Sequence, residues 1–263
     1  MISPLADATD AKVFGGKAAQ LGAAICWGLP VPDGIAISCE AVSAIAHEDA
    51  ATMADLAAAI AGLGLSAVRS SALDEDSFDA SFAGAHLSVL AVSGAEAVAT
   101  AVRAVHASGQ DAGAVSYRAE MGLDLTARMA VVVQSLVDAD VAGVLFTRNP
   151  VTGADERVVE ASWGLGESVV SGLVTPDGYR VARGGRLLER ILGEKDIAIR
   201  PQGEVPVEPG LVDEFCLDED ALAVLDALAS KCDQLYCSTD HDIEFAFRDG
   251  EVFLLQRRPI TRA

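Results

Sequence analysis

The stretch Asp242-Ile243-Glu244-Phe245-Ala246-Phe247-Arg248-Asp249-Gly250-Glu251-Val252-Phe253-Leu254-Leu255-Gln256-Arg257-Arg258-Pro259 reads as a β-hairpin. Arg248-Asp249-Gly250 is a turn signal between two alternating runs. Pairing residue 246 with 252 sets 244 opposite 254 and 242 opposite 256. Period-two alternation then places Asp242, Glu244, Gln256 and Arg258 on one face, and turns Ile243, Phe245, Phe247, Phe253 and Leu255 toward a core. Two carboxylates, an amide oxygen and a guanidinium on one rigid patch suit Mg²⁺ held jointly with phosphates, because that ion needs only one or two protein ligands there. A surface hairpin whose polar face is merely wet shows the same alternation.

A second stretch far upstream supplies what the hairpin lacks. Ala67-Val68-Arg69-Ser70-Ser71-Ala72 runs into an acidic segment and then Asp79-Ala80-Ser81-Phe82-Ala83-Gly84. Arginine forks onto phosphate oxygens, and consecutive small residues let backbone N–H groups approach them. An exposed arginine at a strand end is the plainer alternative. Ser81 to Gly84 extend the phosphate-holding backbone, with Phe82 as an anchor. Gly15-Gly16-Lys17 is not a P-loop, since Ala18 stands where Ser or Thr is required and Ala11 where the earlier glycine belongs. A lysine at a helix start still meets phosphates favourably. The upstream and downstream stretches together read as halves of one ATP site.

Composition agrees. The 263 residues are 51% apolar but only 5% aromatic, as in a soluble α/β protein of many short elements. A formal charge of −20 argues against nucleic-acid or anionic-membrane partners and makes Lys17, Arg69 and Arg258 stand out. Five cysteines without metal spacing read as reduced thiols, and no stretch has the length and apolarity of a membrane span, so the expected location is cytoplasmic. Helices are expected at 17–27, 41–62, 95–120 and 218–235. Strands are expected at 34–38, 65–69, 88–92, 129–137, 143–147 and 158–161, with a lobe boundary near 120–128.

The ordered set Gly15-Gly16-Lys17-Ala18-Ala19-Gln20-Leu21-Gly22, Val31-Pro32-Asp33-Gly34, Val68-Arg69-Ser70-Ser71, Ser81-Phe82-Ala83-Gly84, Ser116-Tyr117-Arg118, Gly143-Val144-Leu145-Phe146-Thr147, Trp163-Gly164-Leu165-Gly166-Glu167, Asp242-Ile243-Glu244 and Gln256-Arg257-Arg258-Pro259 resembles the N-terminal ATP-binding domain of phosphoenolpyruvate synthase, pyruvate phosphate dikinase and rifampin phosphotransferase. The resemblance implies an α/β (α+β) ATP-grasp-like fold of two lobes, 1–125 and 126–263, with ATP bound between them. It implies phosphate contacts from Lys17 and Arg69 under a loop through Ser81 and Gly84, and Mg²⁺ ligation by Glu244 and Gln256. Asp242 and Arg258 would stand beside the transferring phosphoryl group, and Gln134 and Leu136 at the adenine edge. Lys17, Arg69 and Arg258 are the implied catalytic cations.

The chain departs from the pattern after the Phe-Ala-Gly loop, where Leu87 and Ser88 replace an acid and a threonine; Ser88 keeps the hydroxyl. The resemblance implies an ATP-dependent phosphotransferase that passes phosphate to a histidine on a separate partner protein. Two other readings stand beside it: a stand-alone kinase of a small-molecule acceptor, and a non-catalytic nucleotide-binding module.

Overall fold

The computed structural model describes residues 1–72, 87–110 and 128–260. The chain divides into two units, Met1–Cys26 with Pro32–Leu136, and Trp27–Val31 with Val137–Ala263.

The first unit is a five-stranded antiparallel sheet, β1 (Ile2–Pro4), β2 (Gly34–Ile37), β3 (Ser66–Ala72), β4 (Ser88–Val92) and β5 (Met129–Ser135), in the order β1-β2-β5-β3-β4. Ile35, Ile37, Val68, Val131 and Val133 alternate onto one face. They form a core with Val42 and Ile45 of α2 (Cys39–Ala46), Leu56 of α3 (Ala50–Ala59), and Val98, Val102 and Val105 of α4 (Ala95–Ser108). The spacing of 98, 102 and 105 is one stripe of a helix. The helix expected over 41–62 is two helices. Glu48 takes φ 58°, and Asp49 starts α3 afresh by accepting from the Thr52 N–H at 2.9 Å. The helix expected to begin at 95 runs to Ser108.

The second unit is a six-stranded antiparallel sheet in the order β13-β12-β6-β7-β8-β9. Its strands are β6 (Val141–Phe146), β7 (Glu156–Trp163), β8 (Asp177–Ala182), β9 (Leu187–Ile191), β12 (His241–Arg248) and β13 (Glu251–Pro259), with a separate hairpin of β10 (Ile197–Arg200) and β11 (Gly203–Pro206). Helices α5 (Glu167–Val170), α6 (Pro209–Val212) and α7 (Glu219–Leu235) complete it. Leu145, Val159, Ala161, Tyr179, Val181, Ile243, Phe245 and Phe247 lie buried on one sheet face. Arg157 of that face, 1% exposed, donates to Asp226 at 2.9 Å and Asp233 at 3.0 Å, both on α7. A buried guanidinium is tolerable only when its donors are met, so this clasp fixes α7 over the core face.

The sequence predicts a second lobe over 126–263. In the structure β5 pairs with β2 and β3, and the division therefore falls after Leu136. Among the described residues no helix is long and apolar enough to cross a membrane.

Candidate functional site

The first unit gathers its candidates around α1 (Ala11–Cys26), which breaks at Gly15 with φ 80° and ψ 165°. Asp10 opens the helix by accepting from the Lys12 N–H at 2.9 Å. At the break, the Ser71 hydroxyl of β3 donates to the Phe14 carbonyl at 2.8 Å and accepts from the Ala18 N–H at 3.1 Å. A Cβ at Gly15 would overlap the Ser71 carbonyl, so this approach requires glycine. One residue before Ala18, the buried Lys17 donates from Nζ to the Ser70 carbonyl at 2.8 Å. The helix start and β3 are thus sewn together at the residues expected to meet phosphate.

Register adds three more of the expected residues. Arg69, half-buried, pairs with Ser88 on β4 and with Val132 on β5; Ala67 pairs with Gln134 two places along. Arg69, Ser71, Ser88 and Gln134 therefore share the sheet face opposite the core. Gln134 is buried and donates to the Pro32 carbonyl at 3.4 Å. Leu136 follows β5, and its N–H bonds the Leu65 carbonyl at 2.8 Å. Both adenine-edge candidates lie in the first unit, not the second. Ser81, Gly84 and the Ser116-Tyr117-Arg118 stretch lie outside the described residues.

The second unit contributes the hairpin. Asp249 and Gly250 have φ of 52° and 79°, the left-handed pair that a two-residue turn demands. Arg248 pairs with Glu251, Phe247 with Val252, Ala246 with Phe253 and Phe245 with Leu254. A bulge then shifts the ladder, and Glu244 pairs with Gln256 and Asp242 with Arg258. The expected register, with 246 opposite 252 and 244 opposite 254, is off by one residue from the turn onward, where Ala246 meets Phe253, and by two beyond the bulge, where Glu244 meets Gln256. Leu255 is the extra residue, and Leu254, fully buried, packs beside Phe245 where Phe253 and Leu255 were expected. The expected grouping survives, because Asp242, Glu244, Gln256 and Arg258 occupy one face in two opposed pairs.

Arg258 Nε donates to Asp242 Oδ2 at 2.6 Å, with the arginine side chain 58% exposed and the aspartate 9%. Burial pushes the Asp242 carboxyl above its ordinary range; Arg258 opposes this and Glu244 adds to it. Among the described residues no set of three or more His, Cys, Asp or Glu could hold a metal alone. A cation on this face would take one carboxylate from Glu244 and one amide oxygen from Gln256, with the remaining ligands from outside the protein. All five cysteines are free.

Ser71 is the site residue that sequence reading missed. In the sequence it is a small residue beside Arg69, and nothing local shows that its hydroxyl clasps a helix more than fifty residues away.

Residues 50–263 match the family described as pyruvate phosphate dikinase, AMP/ATP-binding domain. Over 201 residues, 74% of the chain, it is 46% identical to a probable phosphoenolpyruvate synthase of Methanothermobacter thermautotrophicus, of which it covers 29%. It is 38% identical over 211 residues to the phosphoenolpyruvate synthase of Pyrococcus furiosus, again 74% of the chain and 26% of that protein. With the uncharacterized phosphotransferase YvkC of Bacillus subtilis it shares 37% over 201 residues, 74% of the chain and 24% of that protein. The chain spans less than a third of the length of these relatives.

Proposed function

The chain belongs to the pyruvate phosphate dikinase AMP/ATP-binding domain family, and on that premise we propose that it binds MgATP and passes phosphate to a histidine on a separate protein. One observation carries the reading: Asp242, Glu244, Gln256 and Arg258 stand on one sheet face as the pairs Asp242–Arg258 and Glu244–Gln256. A carboxylate opposite an amide oxygen is a hard-oxygen donor set, which fits Mg²⁺ shared with phosphates. Glu244 and Gln256 would hold the ion, which when bound neutralises phosphate charge. Arg258, exposed and anchored through Nε to Asp242, would stand beside the transferring phosphoryl group and offset its charge.

Lys17, Arg69 and Ser88 would hold phosphates from the first unit, with Ser81 and Gly84 extending that hold. Gln134 and Leu136 would meet the adenine edge. Phosphoryl transfer asks little covalent chemistry of a protein, so these residues act by positioning and charge neutralisation.

Titration calorimetry with MgATP, with and without EDTA, tests the binding half. Equal affinity in both conditions removes the roles given to Glu244 and Gln256. Radiolabelled ATP then tests transfer: label is expected on an added histidine-bearing partner domain in an acid-labile bond. Fast turnover with a small acceptor and no partner makes the chain a stand-alone kinase instead, and tight binding without turnover under either condition makes it a nucleotide-binding module.

A further inference from the structure

The face that carries Glu244 does not stop at β12. Following the ladder sideways, Gln256 pairs with Glu244, Glu244 with Val144, Val144 with Glu160, Glu160 with Gly178, and Gly178 with Ile191. The next row reads Arg258, Asp242, Phe146, Val158. Glu160 therefore stands on the same face as Glu244, two strand spacings or ~10 Å away. Val144 lies between them, with Phe146 and Val158 beside it in the next row, and all three are half-buried and apolar. Glu160 itself is exposed, and among the described residues no hydrogen-bonding or ionic partner meets its carboxylate. Its strand neighbour Glu156, by contrast, is consumed by Arg180 and Asn149.

An ionised carboxylate only accepts hydrogen bonds. Placed beyond an apolar floor from a metal-and-phosphate patch, it selects a group that is flat or aliphatic on one side and carries donors at its rim. We infer that Glu160 reads the nucleoside half of the nucleotide, accepting a hydrogen bond from a ribose hydroxyl or an exocyclic base amine laid across Val144, Phe146 and Val158. This rests on the MgATP reading above.

The test is equilibrium binding of MgATP, Mg-2′-deoxy-ATP, Mg-3′-deoxy-ATP and Mg-ITP to the wild-type chain, Glu160→Ala and Glu244→Ala. A hydrogen bond to a charged group corresponds to about a ten- to hundredfold change in Kd. Glu160→Ala is expected to lose that factor for MgATP while keeping its dependence on Mg²⁺. The loss should vanish for the one analogue that lacks the donor, which says whether sugar or base is read. Should Glu160→Ala bind all four nucleotides as the wild type does, while Glu244→Ala loses metal-dependent binding, the inference falls and the MgATP reading stands. A wild-type chain that binds no MgATP ends both.

Discussion

Arg257 Nε donates to His241 Nδ1 at 2.9 Å, which makes Nδ1 an acceptor and places the imidazole proton on Nε2, 3.0 Å from the Ser238 carbonyl. The arginine also stacks on Tyr236, 4.1 Å from the ring centroid. His241 is fully buried and must be neutral for this arrangement. Burial, then the charge of Arg257, pull its pKa down to about 4; Arg157 adds to this, while Asp233 and the Ser238 carbonyl oppose it.

Acid should therefore weaken the second unit as pH falls below about 6.5. The unfolded chain takes up a proton near pH 6.5 that the folded chain refuses until about pH 4. Stability contributed by the neutral ring is complete above the upper value and falls as pH drops through the window, by about 3 kcal/mol at most. Urea unfolding of wild type and His241→Asn at pH 7 and pH 5 measures it, the difference between the two proteins isolating this ring. A wild-type loss no larger than the variant's would mean that His241 is not held neutral.

Glu244→Ala and Phe245→Ala should separate cleanly although the residues are adjacent. Phe245 is fully buried against Leu254 and Phe247, so its truncation should cost about 3–5 kcal/mol in chemical denaturation. Glu244, on the opposite face, should leave the unfolding midpoint within about 1 kcal/mol and abolish the Mg²⁺ dependence of nucleotide binding. Two unfolded variants, or two competent ones, would refute the face assignment.

Arg69→Lys should weaken MgATP binding despite keeping the charge. A guanidinium forks onto two phosphate oxygens, whereas an ammonium is a point donor. Calorimetry reads the change, expected at about tenfold or more in Kd, as for loss of one charge-assisted bond. Unchanged affinity would return Arg69 to an ordinary strand-end arginine.

Gly15→Ala should damage both stability and binding. The backbone there occupies a region open almost only to glycine, at a cost of about 1–3 kcal/mol for any other residue, before counting the overlap with the Ser71 carbonyl. Because Lys17 starts from the far side of that break, MgATP affinity should fall in parallel with the melting temperature. A variant with wild-type melting would show that Ser71 can move away at little cost.

Period-two alternation places Asp242 and Glu244 on one face, because a sheet face is a local property of the strand. On β13 the fully buried residue is Leu254, not Phe253 or Leu255, and Gln256 and Arg258 join Glu244 and Asp242 only because the bulge reverses the alternation. Register was not legible. The bulge at Leu255 seats Leu254 beside Phe245 while Gln256 faces Glu244, and β12 is held from its other side by β6, which the hairpin sequence does not reveal. The division of the chain was misplaced for a similar reason, since the apolar run of β5 says that it is buried without saying beside which strands. In the sequence Glu160 is an acidic residue in a short strand, indistinguishable from ordinary surface. Only the ladder through Val144 brings it into line with Glu244.

The bulge has a consequence for how this hairpin can vary among relatives. Its second strand is one residue longer than a straight ladder from the Asp249-Gly250 turn to Gln256 requires. A gap of one residue anywhere from Val252 to Leu255 can therefore be absorbed by straightening, with Glu244 still opposite Gln256 and Asp242 still opposite Arg258. Only a gap at Leu255 also spares Leu254 its place against Phe245. Length differences between lineages should collect in that short stretch, and an extra or missing residue between His241 and Arg248 should be rare, since β12 is paired on both sides and has no slack to give.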